Sequence, residues 1–335
     1  MSIQRTARLV LGIGFLFFLI LIFSLFAAAA VPPQKVVFAF ASLNEKPSSL
    51  FVAKDQGFFE EQGLDPQIVQ VRSGPIAISA LAAGNANFYA APATGATLGA
   101  MAGGLDAVFI GGLINKLDGY VVVSPKIQSP VDLKGKILGI QSIGGGLWMF
   151  TMMSLDHWGL DLKRDKIQLR VIGDQPVIVQ ALATATIDGA FLSYTFGKMA
   201  ERQGSRILAD LAKVDIPYQG TGILARRSFV DQSPELVEKS LKALIKAVAF
   251  IKEAENKPAV MRTLAKWLRL SRLEDAEAGY ETINALYNRH LLPTKEGLRN
   301  ALRILSNVDA KFARLKVEDL VDDRITRKLE REGGF

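Results

Sequence analysis

The string GIQSIGGGLWMF, residues 139–150, places Gly144, Gly145 and Gly146 between a short apolar run and a helical pattern. Glycine loses the most backbone freedom on folding, so three in a row need a reason. A helix start supplies one. Its first N–H groups have no partner within the helix and carry a partial positive charge of about +0.5. An anion or a polar oxygen is stabilised there without a charged side chain. Bare backbone at 144–146 would let ligand atoms approach those amides; the plainer alternative is a flexible strand-to-helix turn. Ser73 and Gly74, with Pro75 in the first turn, open a second helix in a similar way. Two such helix starts would face one another across a cleft.

Other chemistries lack their residues. No Gly-Lys-Ser or Gly-Lys-Thr follows the glycines, and their spacing is not that of a dinucleotide turn. The 335 residues contain no cysteine, which excludes disulfides, thiolate metal sites, cysteine nucleophiles and lipid attachment through an N-terminal cysteine. His157 and His290 are too few and too far apart to suggest zinc, and they give poor material for a serine hydrolase. No catalytic residue, metal or cofactor is assigned. The formal charge of +7 is spread thinly, densest at Lys239, Lys242, Lys246 and Lys252. Their helical spacing reads as a solvated face, because a nucleic-acid stripe would want interleaved aromatics and a binding motif.

The helix starts need strands and helices to hold them. Residues 1–31 run from two arginines through an uncharged apolar stretch to Ala27–Ala30, the order of a secretory signal. The stretch from Leu9 to Phe26 also approaches the length of a membrane-spanning anchor, so cleavage and retention both stay open. In either case the body, from near Lys35, is exported. KVVFAFA (35–41) reads as a buried strand, 50–65 as a helix stopped by Gly57 and Gly63, and QIVQVR (67–72) as a strand. A helix from Ser73 follows. The pattern restarts after GYVVVS (119–124) with strand, helix and strand again. Such repeats predict an α/β fold in two halves, with ligands beyond the carboxyl ends of the strands. From Ser233 the chain is nearly all helical.

Four strings in order, VRSGPIAISALAAGNANFYAAPATGA, the strand-to-glycine segment at 139–146, LDHWGL at 155–160 and TIDGAFLSY at 186–194, carry a resemblance. Across roughly residues 35–250 the chain resembles the substrate-binding proteins of ABC importers for nitrate, taurine and alkanesulfonates, including binders of thiamine-pyrimidine precursors. The resemblance implies a two-lobed clamshell of the type II periplasmic-binding-protein class, with two hinge crossings and C-terminal helices on the first lobe. It divides the body into lobe 1 (35–118 and 222–320), lobe 2 (119–221) and a tail (321–335). The loop Ser42-Leu43-Asn44 matches the family's first ligand loop, Ser73–Gly74 its second, and Pro92-Ala93-Thr94 its third. Ile143 to Gly146 fall where sulfonate binders often place small hydroxyl residues. Asp188, Ser193 and Tyr194 fall on the last loop of lobe 2. Asn87 stands where the family usually has a locally hydrogen-bonded aspartate.

Several residues keep two readings. Trp148 walls an apolar pocket or anchors the core. Tyr194 reaches the cleft with its hydroxyl or packs. Asp188 braces its Asp-Gly turn or meets a ligand amine. Arg72 pairs with a ligand acid or points to solvent. The leading expectation is an exported, monomeric solute-binding protein that takes a small polar or anionic molecule between its lobes and passes it to a permease in the inner membrane. An enzyme on the same fold, akin to the pyrimidine-precursor synthases, and a membrane-tethered sensor are the alternatives. Those synthases carry a cysteine-rich iron motif that this chain lacks.

Overall fold

The computed structural model describes residues 32–333. The expected export segment, 1–31, lies outside the described residues. Among them no helix is long and apolar enough to cross a membrane.

Two five-stranded sheets carry the body. The first has the order β2 (Leu64–Gln70), β1 (Gln34–Phe40), β3 (Phe88–Ala91), β10 (Pro217–Arg226), β4 (Ala107–Lys116). The second runs β7 (Gln168–Val171), β6 (Ile137–Ile140), β8 (Gly189–Leu192), β5 (Tyr120–Val123), β9 (Arg206–Asp210). Each sheet is mixed: β1 pairs parallel with β3 and β6 with β7 and β8, whereas β10 and β5 run antiparallel to their neighbours. The nearly continuous apolar run of β1 follows from burial on both faces. Phe38 stacks on Phe88 with ring centroids 4.8 Å apart. β2 starts at Leu64, earlier than expected, and contains Pro66. As an edge strand it tolerates a residue that cannot donate to a ladder.

Six helices join the strands: α1 (Ser48–Asp55), α2 (Gly74–Ala82), α3 (Gly95–Ala102), α4 (Gly146–His157), α5 (Gln175–Ala183) and α6 (Tyr194–Arg202). Six more follow β10: α7 (Arg227–Gln232), α8 (Pro234–Lys252), α9 (Lys257–Leu268), α10 (Glu277–Leu286), α11 (Lys295–Ser306) and α12 (Arg324–Arg331). α8 buries Val237, Leu241, Leu244, Val248 and Ile251 on one stripe, while Lys239 and Lys242 pair with Glu235 and Glu238 outside. That is the solvated face read from the lysine spacing.

The two connections between sheets run side by side. β4 ends at Lys116 and β5 begins at Tyr120; on the return, Pro217 pairs with Lys116 and the Leu117 amide donates to the Ile216 carbonyl at 2.9 Å. The return crossing therefore precedes Pro217, and the boundary expected at 221/222 falls inside β10. Gly220 and Gly222 lie within this strand. In the structure they let β10 lie close against β4, where a Cβ would sit 2.8 Å from the carbonyl oxygens of Lys116 and Gly111.

The segment expected as a tail from 321 is docked. Val321 bridges to Phe109, the Asp322 amide donates to the Phe109 carbonyl, and the Thr326 hydroxyl donates to the Ile110 carbonyl at 2.5 Å. Thr326 and Leu329 form a buried stripe on α12.

Candidate functional site

The carboxyl ends of β1, β3, β6 and β8 converge on a cavity between the lobes. Ser42, Asn44, Lys46 and Gly74 line it from lobe 1, and Gln141, Gly146, Leu147, Gln175 and Ser193 from lobe 2. Thr221 of β10 lines it at the hinge, and the aromatic rings of Phe40, Tyr89, Phe150 and Phe191 contribute to the wall. A water-sized sphere can centre itself in about 50 Å³ of the space, several times the roughly 10–15 Å³ that one water needs. Phe150 and Phe191 stack at 4.4 Å and 6°.

The lobes are closed on each other. Gln141 Nε2 donates to the carbonyls of Ala41 and Arg72, both at 3.0 Å. Asp174, the N-cap of α5, accepts from the Leu43 amide at 3.2 Å and from Gln70 Nε2 at 3.1 Å. Gln175 Nε2 donates to the Leu43 carbonyl, and its Oε1 accepts from the Ser193 amide at 2.8 Å. Glu45 Oε1 accepts from the Tyr194 amide at the start of α6 at 2.9 Å. These side chains satisfy helix-start amides and loop carbonyls that closure removes from water.

The glycines divide by role. Gly146 lines the cavity at the first turn of α4, but Gly144 and Gly145 lie against lobe 1. The Ala96 amide donates to the Gly144 carbonyl at 2.8 Å. A Cβ on Gly95 would stand 3.5 Å from Gly144 Cα, and one on Gly74 would stand 3.9 Å from Gly145 Cα. Gly144 has φ +72°, the left-handed region that glycine occupies without strain. The bare backbone at 144–145 thus serves close contact between lobes, and only Gly146 and Leu147 of this turn face the cavity.

Of the residues singled out from the sequence, the cavity gathers Ser42, Asn44, Gly74, Gly146 and Ser193. Pro92 also lines it. Ser73 caps α2 by position, without a side-chain bond. Arg72 contributes its carbonyl to Gln141. Thr94 caps α3, its hydroxyl accepting from the Thr97 amide. Ile143 is 72% exposed and faces water. Trp148 is buried, near enough that a Cβ on Gly95 would lie 3.3 Å from its ring. Asp188 accepts from the Ile137 amide at 2.8 Å and so braces β6. The Tyr194 hydroxyl donates to Asp210 at 2.6 Å. Asn87 Oδ1 accepts from the Val37 amide at 2.8 Å, tying β3's loop to β1.

Sequence reading missed the charged group beneath the cavity. Lys46 Nζ bonds Asp118 Oδ1 at 2.8 Å and the Asp118 carbonyl at 3.1 Å, and sits 4.2 Å from the Phe150 ring centroid. It links the first loop of lobe 1, the hinge and an aromatic wall of lobe 2. Burial pushes the Asp118 carboxyl up, opposed by the Lys46 ammonium. Burial also pushes the Glu45 carboxyl up, against its hydrogen bonds and Lys46. Asn44 shapes this loop by accepting from the Lys46 amide at 2.8 Å. The adjacent Glu-Lys pair in SLNEKPSS, amid loops poor in charge, was the available signal. Ser193 is 1% exposed and lines the cavity. Its hydroxyl lies near enough to Glu45 to ease that carboxyl's ionisation, yet Ser193 Oγ and Glu45 Oε2 both lack a partner at hydrogen-bond geometry among the described residues.

Two α/β lobes joined by paired crossings, with a cleft at the strand ends, define the periplasmic-binding-protein fold. The family model described as NMT1/THI5 like matches residues 44–257, and the chain belongs to that family. A relative from Brucella abortus, described as a binding protein, is 26% identical over 271 residues, covering 79% of this chain and 82% of its own. A Bacillus subtilis relative described as an aliphatic sulfonates-binding protein is 25% identical over 300 residues, covering 87% of each chain. The crystal structure of the periplasmic aliphatic sulphonate binding protein SsuA from Escherichia coli superposes with a TM-score of 0.70 at 17% identity, over 88% of this chain and 99% of that one. The fold is that of periplasmic solute-binding proteins.

Proposed function

We propose that this protein, exported and acting outside the cytoplasm, captures one small organic molecule in the inter-lobe cavity and delivers it to an ABC permease. The observation that supports this reading is the buried Ser193 hydroxyl, which lines the cavity between the lobes and has only the Glu45 carboxylate near it, with no partner at hydrogen-bond geometry among the described residues. A buried hydroxyl without a partner is costly, and a ligand oxygen would satisfy it. Among the described residues Lys46 is the one charged side chain lining the cavity, and Asp118 already balances it. The ligand therefore carries at most one negative charge, is met by Gly146, Leu147 and hydroxyls, and lays an apolar part against Phe150 and Phe191. Binding favours the closed arrangement by as much as the ligand prefers it.

Thermal melting of the body from Lys35 tests this reading with ethanesulfonate, benzoate, nitrate, an aminopyrimidine and benzylamine. At a ligand concentration of about 100 Kd, stabilisation reaches ~2.7 kcal/mol. A neutral or anionic compound should raise Tm by several degrees. Stabilisation by the amine alone would defeat the reading.

A further inference from the structure

We propose a second ligand site, in the groove between β2 and the C-terminal end of α9, that takes a small organic anion with a flat apolar body. The groove, open to solvent, is about 460 Å³ and is lined by Ile68, Val69, Gln70, Lys266, Trp267 and Arg269, with Phe40 among them. All of these residues belong to lobe 1, and Gln70 at the edge also donates to Asp174 of lobe 2 at 3.1 Å.

The floor is aromatic and held in place. The Trp267 indole stacks on Phe51 at 4.7 Å and 4°, and Asp55 fixes the group by accepting from Trp267 Nε1 at 3.2 Å and Lys266 Nζ at 2.7 Å. Val69, on the edge strand, is 43% exposed and extends the apolar surface. Two cations edge the groove, and among the described residues no acid lines it.

Arg269 stands at the end of the groove. It ends α9 with φ +57° and ψ +42°, the left-handed position where glycine is the usual helix stop. Its guanidinium has no hydrogen bond or ion pair among the described residues, although its field reaches Asp174. An arginine held in a conformation costly to any residue with a Cβ, unpaired and beside an aromatic floor, has the planar fork that a carboxylate or sulfonate matches. The body of such an anion would lie against Trp267 and Val69.

The experiment follows the Trp267 indole N–H by NMR, assigned with Trp267→Phe, during titration with benzenesulfonate, benzoate, benzyl alcohol and benzylamine. Saturable shifts are expected for the two anions, with affinity at least tenfold weaker for the alcohol and the amine. Arg269→Gly should abolish the shift while melting no lower than the unmodified protein. Arg269→Lys should keep a weakened one. Ser193→Phe, with a filled cleft, should bind the anions at the groove as before; losing the shift there would assign the effect to the cleft. Equal shifts from benzyl alcohol, an unchanged response in Arg269→Gly, or no shift with either anion would each overturn the proposal.

Discussion

The amide of Ala96, at the start of α3 in lobe 1, donates to the carbonyl of Gly144 in lobe 2 at 2.8 Å. One helix start is thereby satisfied by the opposite lobe's glycine turn, and a Cβ on Gly95 beside it would stand 3.3 Å from the Trp148 ring, 3.4 Å from Leu305 and 3.5 Å from Gly144 Cα, leaving no space for a longer side chain between them. Here the two lobes meet backbone to backbone, beside the side-chain bonds of Gln141, Asp174, Gln175 and Glu45.

Gly95→Leu should therefore hold the lobes apart. Leucine is a better helix residue than glycine by ~0.8 kcal/mol, so neither lobe should lose its fold. Ligand affinity should fall at least tenfold, and the radius of gyration by X-ray scattering should exceed that of the unmodified protein. Unchanged affinity and size would mean that the glycine turn is not a closing contact.

Lys46→Met leaves Asp118, whose side chain is fully buried, without its cation. Breaking such a pair costs on the order of 3 kcal/mol at neutral pH. The sign with pH follows from the Asp118 carboxyl, already pushed up by burial against the pull of Lys46. Removing the ammonium pushes it further, so the carboxyl is protonated below its raised folded-state value and charged above it. The stability deficit in urea melts should be smallest in acid, grow as pH rises through the window between the unfolded and the raised folded value, and then level off. A deficit independent of pH would contradict the assignment.

Ser193→Ala and Asp188→Ala should separate binding from bracing. Ser193 Oγ has no protein partner among the described residues, so its loss should leave urea stability within ~0.5 kcal/mol while weakening the ligand severalfold. Asp188 holds the Ile137 amide, and its loss should cost about 1 kcal/mol with Kd nearly unchanged. Calorimetric titration beside urea melts measures both, and the reverse pattern would exchange their roles.

Arg269→Gly should stabilise the protein by ~1 kcal/mol, because glycine adopts the left-handed helix end that arginine strains to reach. A lower Tm would show that the guanidinium contributes more to lobe 1 than its lack of bonded partners indicates.

The sequence by itself determined the class of fold. VVFAF (36–40) is apolar throughout because this part of β1 is covered on both faces, and the restart at GYVVV marks a second sheet whatever the distances between them. Helix starts at Ser73 and Gly146 were also legible, since caps, glycine and early proline act locally. Tertiary structure decided what those starts touch. Whether Gly144 meets a ligand or Ala96, whether Asp188 faces the cleft or the Ile137 amide, and whether 217–221 belongs to one lobe or the other depend on how separate segments lie together in space. Lys46 and Asp118 are 72 residues apart in the chain and 2.8 Å apart in the fold. Local preference constrains φ and ψ; burial and pairing between distant segments arise only when the chain has closed on itself.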